Sequence, residues 1–238
     1  MKTHTISKCL LVIVCLLMSV GSQSQDIKAD TLKVSAGNLS ALLGDKKDLI
    51  THLILKGKIN GTDITTIRSM AKLSVINLLD VDIVKGGVFN SSLYNDKIDI
   101  TNNEVPEEMF YAKENITVVI LPENVTVIGL KAFSDCPKLA SVSIPDGVIS
   151  FGTNAFYGCS KLLSVTIPAK VTTIDYGAFQ ECSGLKEVHC KALIPVKITT
   201  FTFYGINFST CKLYVPKGTA DLYKIADGWK AFKNIIEE

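Results

Sequence analysis

Hydrophobic and polar residues recur along this chain with a period of 23 residues. Three consecutive segments, which together span residues 116–184, match one another at every 23rd position. Each contains an alternation such as Val142-Ser143-Ile144, in which the apolar side chains point to one side of a β-strand and the serine points to the other. The proline that follows, Pro145, ends the strand because it has no N–H group to donate to a ladder. The pattern therefore predicts one short strand in each repeat.

Five residue types hold fixed places in the repeat. Their positions are Val119, Val142, Val165 and Val188; Pro122, Pro145 and Pro168; Phe133, Phe156 and Phe179; Cys136, Cys159 and Cys182; and Leu139, Leu162 and Leu185. A single repeat buries too little apolar surface to fold alone, so successive repeats must stack and cover each other. The sequence therefore predicts an α/β solenoid of about seven rungs, with a parallel sheet on one face and short helices or turns on the other.

The same spacing predicts the domain organisation. Leu53 and Ile76 lie one period apart, but Ile76 and Val119 lie 43 residues apart, so one repeat carries an insertion near residues 85–103. We expect a signal peptide at 1–24, an N-terminal cap at 25–48, the solenoid at 49–215 and a helical C-terminal cap at 216–238.

Both caps show local helix patterns. Asn38 is expected to be the N-cap of a short helix, and Gly44 follows the end of that helix. At the other end, apolar residues from Leu222 through Trp229 to Ile236 alternate with charges. This segment is expected to form an amphipathic helical lid over the last rung.

The first 24 residues have the layout of a secretion signal. They combine two lysines, an apolar run over residues 9–20 and small residues at positions 22 and 24. A membrane-spanning helix needs about 20 apolar residues, which this run does not reach. We expect export with maturation at Gln25, to the cell surface, the periplasm or the extracellular space.

The charge of the chain excludes one class of partner. The predicted signal peptide holds two of the 25 basic residues and none of the 23 acidic ones, which leaves equal numbers after its removal. A neutral chain offers no general electrostatic attraction for nucleic acid. An apolar fraction of 47% also argues against disorder.

Motifs for catalysis, metal binding and cofactor binding are absent from the sequence. It contains no G-x-S-x-G, H-E-x-x-H or C-x-x-C motif and no phosphate-binding glycine loop. His189 beside Cys190 could supply a base and a nucleophile, but alternation along a strand sets them on opposite sides of the sheet. We therefore expect no catalytic residue, no metal ligand and no cofactor.

Five cysteines follow the predicted signal peptide. Cys136, Cys159 and Cys182 share one column and are expected to be buried thiols that bond weakly to backbone groups. A bridge between Cys190 and Cys211 stays open as an alternative, because exported proteins commonly form disulfides.

The repeat resembles the BspA-like leucine-rich repeats of bacterial cell-surface proteins of the Bacteroidetes type. Their unit is L-x-x-V-x-I-P-x-x-V-x-x-I-G-x-x-A-F-x-x-C-x-x-L, and the resemblance covers about residues 49–215. Asp175 departs from the glycine of the unit, and Cys190 departs from an aliphatic position. The resemblance implies a right-handed leucine-rich repeat superhelix and an exported binding protein, some of whose relatives adhere to host proteins or to other bacteria.

Candidate ligand-binding residues follow from the outward positions of the strands. One row contains Val118, Ser141, Ser164 and Glu187, and the neighbouring row contains Ile120, Ser143, Thr166 and His189. The first residue of each row is apolar where later repeats have polar side chains, which marks a possible contact patch. Our hypothesis is that this patch and the insertion, with Phe89 and Tyr94, form the ligand site. The alternative is that the insertion folds over the patch and covers it.

These features predict an exported, non-catalytic binding module for protein–protein or cell-adhesion interactions. The expected partner is a protein on a host or bacterial surface, with a glycan as a second class of ligand. Neither nucleic acid nor a membrane span after signal removal is expected. The alternative function is a carbohydrate-binding or peptide-binding accessory subunit of an outer-membrane uptake system.

Overall fold

Short parallel strands, stacked one period apart along the chain, make up most of the fold. The computed structural model describes residues 27–28 and 31–238, so the predicted signal peptide at 1–24 lies outside the described residues. Within the described part, fourteen strands form three parallel sheets. Together with a few short helices, this arrangement confirms the predicted solenoid. The number of rungs and the right-handed sense stay predictions.

Two of the sheets form one side of the solenoid, which we call the front. The first contains β1 (Ile27–Lys28), β2 (Leu32–Val34), β3 (Ile50–Ile59), β4 (Val75–Ile83), β6 (Val118–Ile120) and β8 (Ser141–Ser143). The second contains β10 (Ser164–Ile167), β12 (Glu187–Cys190), β13 (Lys212–Val215) and β14 (Asn234–Glu237). Strands β8 and β10 belong to successive repeats but lie in different sheets, so the front is divided at this point.

The third sheet, which we call the back ladder, holds the two halves together. It contains β5 (Glu104–Val105), β7 (Val127–Ile128), β9 (Ser150–Phe151) and β11 (Thr173–Ile174). The repeat that contains β8 also contains β9, and the repeat that contains β10 also contains β11. Because β9 pairs with β11, the stack is continuous across the division of the front.

The helices are short and lie mainly near the two ends of the chain. They are α1 (Leu39–Leu43), α2 (Gly61–Ser69) and α3 (Ala220–Ile225), with 3-10 turns at Gly44–Leu49 and Trp229–Ala231. Among the described residues, none of them has the length and apolar character that a membrane crossing requires.

The start of α1 is capped from a distance. Asn38 does not cap this helix, because its Oδ1 accepts a hydrogen bond from the backbone N–H of Ser35 at 3.0 Å. The carboxylate of Asp63 instead accepts from the backbone N–H groups of Gly37 at 2.6 Å and Leu39 at 2.9 Å. The same carboxylate also accepts from the backbone N–H of Asn60 at the start of α2. One buried acidic side chain therefore fixes both helix starts.

A column of phenylalanine rings runs through the core. The ring centroids of Phe110 and Phe133, Phe133 and Phe156, Phe156 and Phe179, and Phe179 and Phe203 lie 5.0, 4.8, 5.3 and 5.2 Å apart. Neighbouring rings are parallel to within 13°. The predicted phenylalanine column is confirmed, and it includes rings from before and after the three most regular repeats.

The cysteine column connects each repeat to the one before it. The Sγ atoms of Cys136, Cys159 and Cys182 lie 2.9, 3.1 and 3.1 Å from the carbonyl oxygens of Phe110, Phe133 and Phe156. All five cysteines of the described residues are buried free thiols. The expected thiol bonds to backbone are confirmed, and the alternative bridge between Cys190 and Cys211 does not form.

Each repeat turns twice through the left-handed region of backbone space. One set of residues with positive φ is Glu108, Lys131, Asn154 and Gly177, and the other is Ala112, Asp135, Gly158, Glu181 and Gly205. Most of these residues are not glycine, although glycine adopts this conformation at the lowest cost. The turns therefore depend on the stacked backbone hydrogen bonds around them rather than on local preference.

The C-terminal segment differs from the prediction. We expected a helical cap over 216–238, but α3 and a 3-10 turn are followed by strand β14, which pairs in parallel with β13. Gly228 adopts a φ of +79° and interrupts the helical path. The indole Nε1 of Trp229 donates to the carbonyl oxygen of Val196 at 2.7 Å and fixes the turn against the last repeats. The chain end therefore extends the sheet and its partly buried Ile235 packs on the core.

Removal of one ring from the phenylalanine column should destabilise the whole stack. We expect Phe156→Ala to lower the free energy of unfolding by about 3–5 kcal/mol, because its neighbours cannot close the space on either side. Urea unfolding followed by circular dichroism measures this. The control is Tyr94→Ala at an exposed ring, which should change the free energy by less than about 0.5 kcal/mol. Equal effects of the two substitutions would contradict the role of the column.

The buried thiols should make the protein sensitive to alkaline pH. Burial raises the pKa of Cys136 to about 12 and that of Cys211 to about 11, and it also raises the pKa values of Cys159, Cys182 and Cys190. A raised pKa contributes stability that is complete below the unfolded value of about 9 and is lost as the unfolded chain ionises.

We therefore expect the urea midpoint, measured with a reductant present, to fall between about pH 9 and 11, from the unfolded pKa towards the raised folded values. Lys113 opposes this change, because burial lowers its pKa to about 8 and its contribution to stability rises with pH over the same range. The thiols outnumber it. Replacement of Cys159 with alanine should reduce the slope, and an unchanged midpoint in the original chain would refute the expectation.

Candidate binding surface

The outward side chains of the front strands form the candidate surface. Eight of the ten predicted site residues lie on β6, β8, β10 and β12, in two rows that follow the strand register. In the first sheet Val118 pairs with Ser141, and in the second Ser164 pairs with Glu187. The neighbouring row pairs Ile120 with Ser143, and Thr166 with His189. Both rows are divided between β8 and β10, where the front sheet itself is divided.

The apolar beginning of the two rows is less accessible than we expected. Val118 is 4% exposed, between Val75 of β4 and Ser141 of β8 in the same row. Ile120 is half-buried. Val118 therefore offers no contact area to a ligand in this structure, because β6 lies between two paired strands whose side chains flank it.

The second front sheet carries a fixed cluster around His189. Its ring stacks on Tyr214 of the neighbouring strand, with centroids 4.4 Å apart and planes within 4°. Nδ1 lies 3.1 Å from Glu238 Oε1, and Nε2 lies 3.6 Å from Glu187 Oε2. Two carboxylates and one aromatic ring therefore hold the imidazole in place on an otherwise shallow surface.

Cys190 lies on the opposite side of the same strand, as alternation predicts. Its side chain is buried, and its Sγ lies 3.2 Å from the hydroxyl of Tyr223. Burial raises the pKa of the Cys190 thiol, which keeps it protonated near neutral pH. Cys190 and His189 therefore cannot act together as nucleophile and base.

The insertion lies on α2 and not on the front strands. The hydroxyl of Thr65 donates to the carbonyl oxygen of Val88 at 2.7 Å, and the N–H of Val88 donates to the hydroxyl of Thr62 at 3.2 Å. Phe89 is 1% exposed, and the guanidinium of Arg68 lies over its ring at 5.4 Å. Phe89 is thus a core residue and not a ligand contact, which corrects the prediction.

Tyr94 stays on the surface but lies apart from the two rows. Its ring is 65% exposed and lies 6.0 Å from the ammonium group of Lys131. The insertion therefore neither joins the apolar patch in one site nor covers it. Both alternatives were wrong, because the sequence does not show on which side of the solenoid the insertion packs.

A buried carboxylate holds the insertion against the solenoid. Glu108 accepts hydrogen bonds from the hydroxyl of Ser91 at 2.8 Å, from the N–H and hydroxyl of Ser92 at 2.8 and 2.9 Å, and from Arg68 at 3.3 Å. Burial opposes ionisation of this carboxyl, but these donors outweigh burial and lower the pKa of Glu108 below its ordinary value. The carboxylate is therefore the anchor of the inserted segment.

Lys113 is connected to this network through Arg68. Its ammonium group donates to the carbonyl oxygens of Arg68 at 3.1 Å and Met70 at 2.5 Å, at the C-terminal end of α2. These carbonyls have no partner within the helix, so the lysine satisfies them and complements the helix dipole.

An open cleft of about 320 Å³ borders the insertion. Its lining includes Tyr94, Asp96, Asp99, Glu104 and Glu107. Burial raises the pKa values of Glu104 and Glu107. No group of three or more histidine, cysteine or acidic side chains in the described part of the chain has the arrangement of a metal site.

Sequence reasoning missed three residues that shape these surfaces. Tyr214 could have been found, because it lies between Leu213 and Val215. These two residues repeat the buried positions on either side of His189 in the previous front strand. Glu238 could not be found while the last segment was expected to be helical. Glu108 gave no signal, because the matching positions in later repeats hold Lys131, Asn154 and Gly177, none of which is acidic.

Comparison with known proteins identifies the repeat. A family model described as a BspA type leucine rich repeat region matches residues 103–235 in six copies. No curated protein matches the chain.

Three solved structures are similar at low identity. The pneumococcal vaccine antigen PcpA is 17% identical with a TM-score of 0.46, over 90% of this chain and 61% of that one. A leucine-rich repeat protein from Bacteroides ovatus is 19% identical with a TM-score of 0.38, over 62% of this chain and 40% of its own. A leucine rich cell surface protein from Faecalibacterium prausnitzii is 15% identical with a TM-score of 0.39, over 82% and 65%. The chain therefore spans less than two thirds of the length of each.

Loss of the Glu108 charge should release the insertion. We expect Glu108→Gln to accelerate tryptic cleavage after Lys97, because Arg68 and the two serines lose the charged acceptor that orders them. The free energy of unfolding should fall by about 3 kcal/mol. Limited proteolysis with mass spectrometry measures the first effect, and urea unfolding measures the second. Glu107→Gln is the matched control, and cleavage at the same rate in both variants would rule out the anchor.

Proposed function

Because the chain belongs to the BspA-type leucine-rich repeat family, we propose that it is an exported binding module that engages a protein partner through the second front sheet. The partner belongs to a host or bacterial surface, and the contact serves adhesion. The layout of residues 1–24 supports export to the cell surface, the periplasm or the extracellular space.

The observation that carries this proposal is the rigid, polar face of β10, β12 and β13. Its outward residues are Ser164, Thr166, Glu187, His189 and Tyr214, above a row of fully buried aliphatic side chains. A shallow face with a central aromatic ring and a charged rim matches the composition of protein interfaces. Because the stacked strands fix the backbone, this face binds with little loss of conformational freedom.

A non-catalytic role fits the chemistry of the same face. Both nitrogens of His189 lie near carboxylates, and Cys190 is buried on the other side of the strand. The buried thiols of the cysteine column have raised pKa values, which keep them protonated. Recognition of a partner surface requires no reactive nucleophile or base, because complementary shape and hydrogen bonding are sufficient.

Photo-crosslinking tests which side of the solenoid meets the partner. A benzoylphenylalanine at position 166 lies on the second front sheet, and one at position 173 lies on the back ladder of the same repeat. Both positions hold threonine in the original chain, which makes them a matched pair. We expect protein adducts from position 166 with serum or bacterial envelope fractions, and competition by the unlabelled chain.

Ser164→Arg, introduced into the chain that carries benzoylphenylalanine at position 166, should abolish those adducts, because a long cation replaces a small side chain beside the crosslinker on the same strand. Circular dichroism establishes that this variant is folded. Equal yields of adducts from positions 166 and 173 would contradict the proposed function. A captured group that resists complete proteolysis would also contradict it, because the partner would then not be a protein.

A further inference from the structure

Three aromatic side chains near the end of the solenoid are exposed although they touch one another. Tyr176, Phe201 and Tyr204 are 48%, 43% and 55% exposed. The centroid of Phe201 lies 5.0 Å from that of Tyr176 and 6.1 Å from that of Tyr204. We call these three residues the aromatic platform. A contiguous group of exposed rings on a soluble domain marks a contact site.

The platform lies on the side of the repeats that carries the left-handed turns. The backbone N–H of Asn154 donates to the carbonyl oxygen of Tyr176, and the N–H of Glu181 donates to the carbonyl oxygen of Tyr204. The three rings therefore belong to consecutive turns that are held by backbone hydrogen bonds. The rings of Tyr176 and Tyr204 each contact the ring of Phe201, and all three are partly exposed to solvent.

The rim of the platform is rich in oxygen acceptors. Gln180 lies in the turn before Tyr204, and its Oε1 faces Gly177 beside Tyr176. The carboxylate oxygens of Glu181 lie over Gly205, next to Tyr204. Asn154 Oδ1 also lies against Gly177, but it is buried and therefore offers no acceptor at the surface. The amide oxygen of Gln180 and the carboxylate of Glu181 therefore lie next to glycines that adjoin Tyr176 and Tyr204 in the sequence.

We propose that the aromatic platform binds a neutral oligosaccharide. A sugar ring has an apolar C–H face that stacks on an aromatic ring, and hydroxyl groups at its edge that donate to amide and carboxylate oxygens. The platform and its rim offer both kinds of contact on one surface. This site lies away from the second front sheet and does not depend on the protein partner proposed above.

The charges at the rim argue against other ligands that stack on aromatic rings. Single-stranded nucleic acid binds aromatic platforms that are embedded in a positively charged groove. Here the exposed Asp175 precedes Tyr176, and Glu181 lies beside Tyr204. Both carboxylates repel phosphate and sulfate groups.

Binding to a printed array of defined oligosaccharides tests the proposal, with neutral hexose oligomers such as maltohexaose, cellohexaose and mannohexaose beside sulfated and sialylated ones. The full chain without its signal peptide is the sample. We expect binding to at least one neutral series and none to the anionic series. Titration calorimetry with the bound oligomer then gives the affinity.

Two variants separate stacking from hydrogen bonding. Tyr204→Ala should weaken binding at least about tenfold through loss of a ring face. Gln180→Ala, which keeps all three rings, should weaken it about fivefold through loss of an acceptor. Tyr94→Ala is the matched control, because it removes an exposed ring from the insertion and should leave oligosaccharide binding unchanged. Equal unfolding midpoints establish that the variants are folded.

Three outcomes would overturn the proposal. The first is the absence of binding to any neutral oligosaccharide, and the second is preferential binding of the anionic series. The third is sedimentation behaviour that shows self-association of the chain which Tyr204→Ala abolishes, because the platform would then be an interface between copies. None of these outcomes bears on crosslinking from position 166, so the two proposals stand or fall separately.

Discussion

The spacing between stacked strands is the constraint on which this structure depends. Parallel strands lie about 4.8 Å apart, and each circuit of the chain must arrive at that distance from the previous one. The phenylalanine rings repeat the same distance, with centroids 4.8 to 5.3 Å apart. Rings at this separation are in contact on both faces, so a larger or smaller side chain in one repeat disturbs two neighbours. The recurrence of a single residue type in each buried column follows from this geometry.

Polar groups inside the stack obey the same constraint. The left-handed turns would leave backbone groups unpaired if each repeat stood alone, but the next repeat supplies their partners across the stack. The thiol of each column cysteine adds a bond to the carbonyl oxygen of the phenylalanine in the previous repeat. The insertion satisfies its polar groups differently, because it has no successor to pair with. Its serines meet the buried carboxylate of Glu108 instead.

The sequence predicted features that repeat and missed features that occur once. The strand positions, the phenylalanine and cysteine columns and the opposite directions of His189 and Cys190 all follow from periodicity, and the structure has them. The position of the insertion along the chain was predicted, but its position in space was not. A segment that does not repeat has no matching positions in neighbouring repeats that would show where it packs. The helical lid was wrong at its end for a related reason, since the apolar residues of 234–237 also suit a strand once β13 offers an edge. The two rows of outward residues were predictable, but the burial of Val118 was not, because it depends on side chains of adjacent strands that a single repeat does not contain.

The division of the front between β8 and β10 separates surfaces of different character. Before the division, the outward rows contain Val75, Val118 and Ile120, which are buried or half-buried, followed by Ser141 and Ser143 of β8. After it, they contain hydroxyl groups and the cluster in which His189, Tyr214 and Glu238 meet. This cluster requires β14 to pair with β13, since only that pairing brings Glu238 next to His189. The closing strand therefore covers the end of the core and at the same time supplies a charge to the surface that is proposed to bind. Stability at the end of the stack and recognition on the front are thus coupled through a single strand.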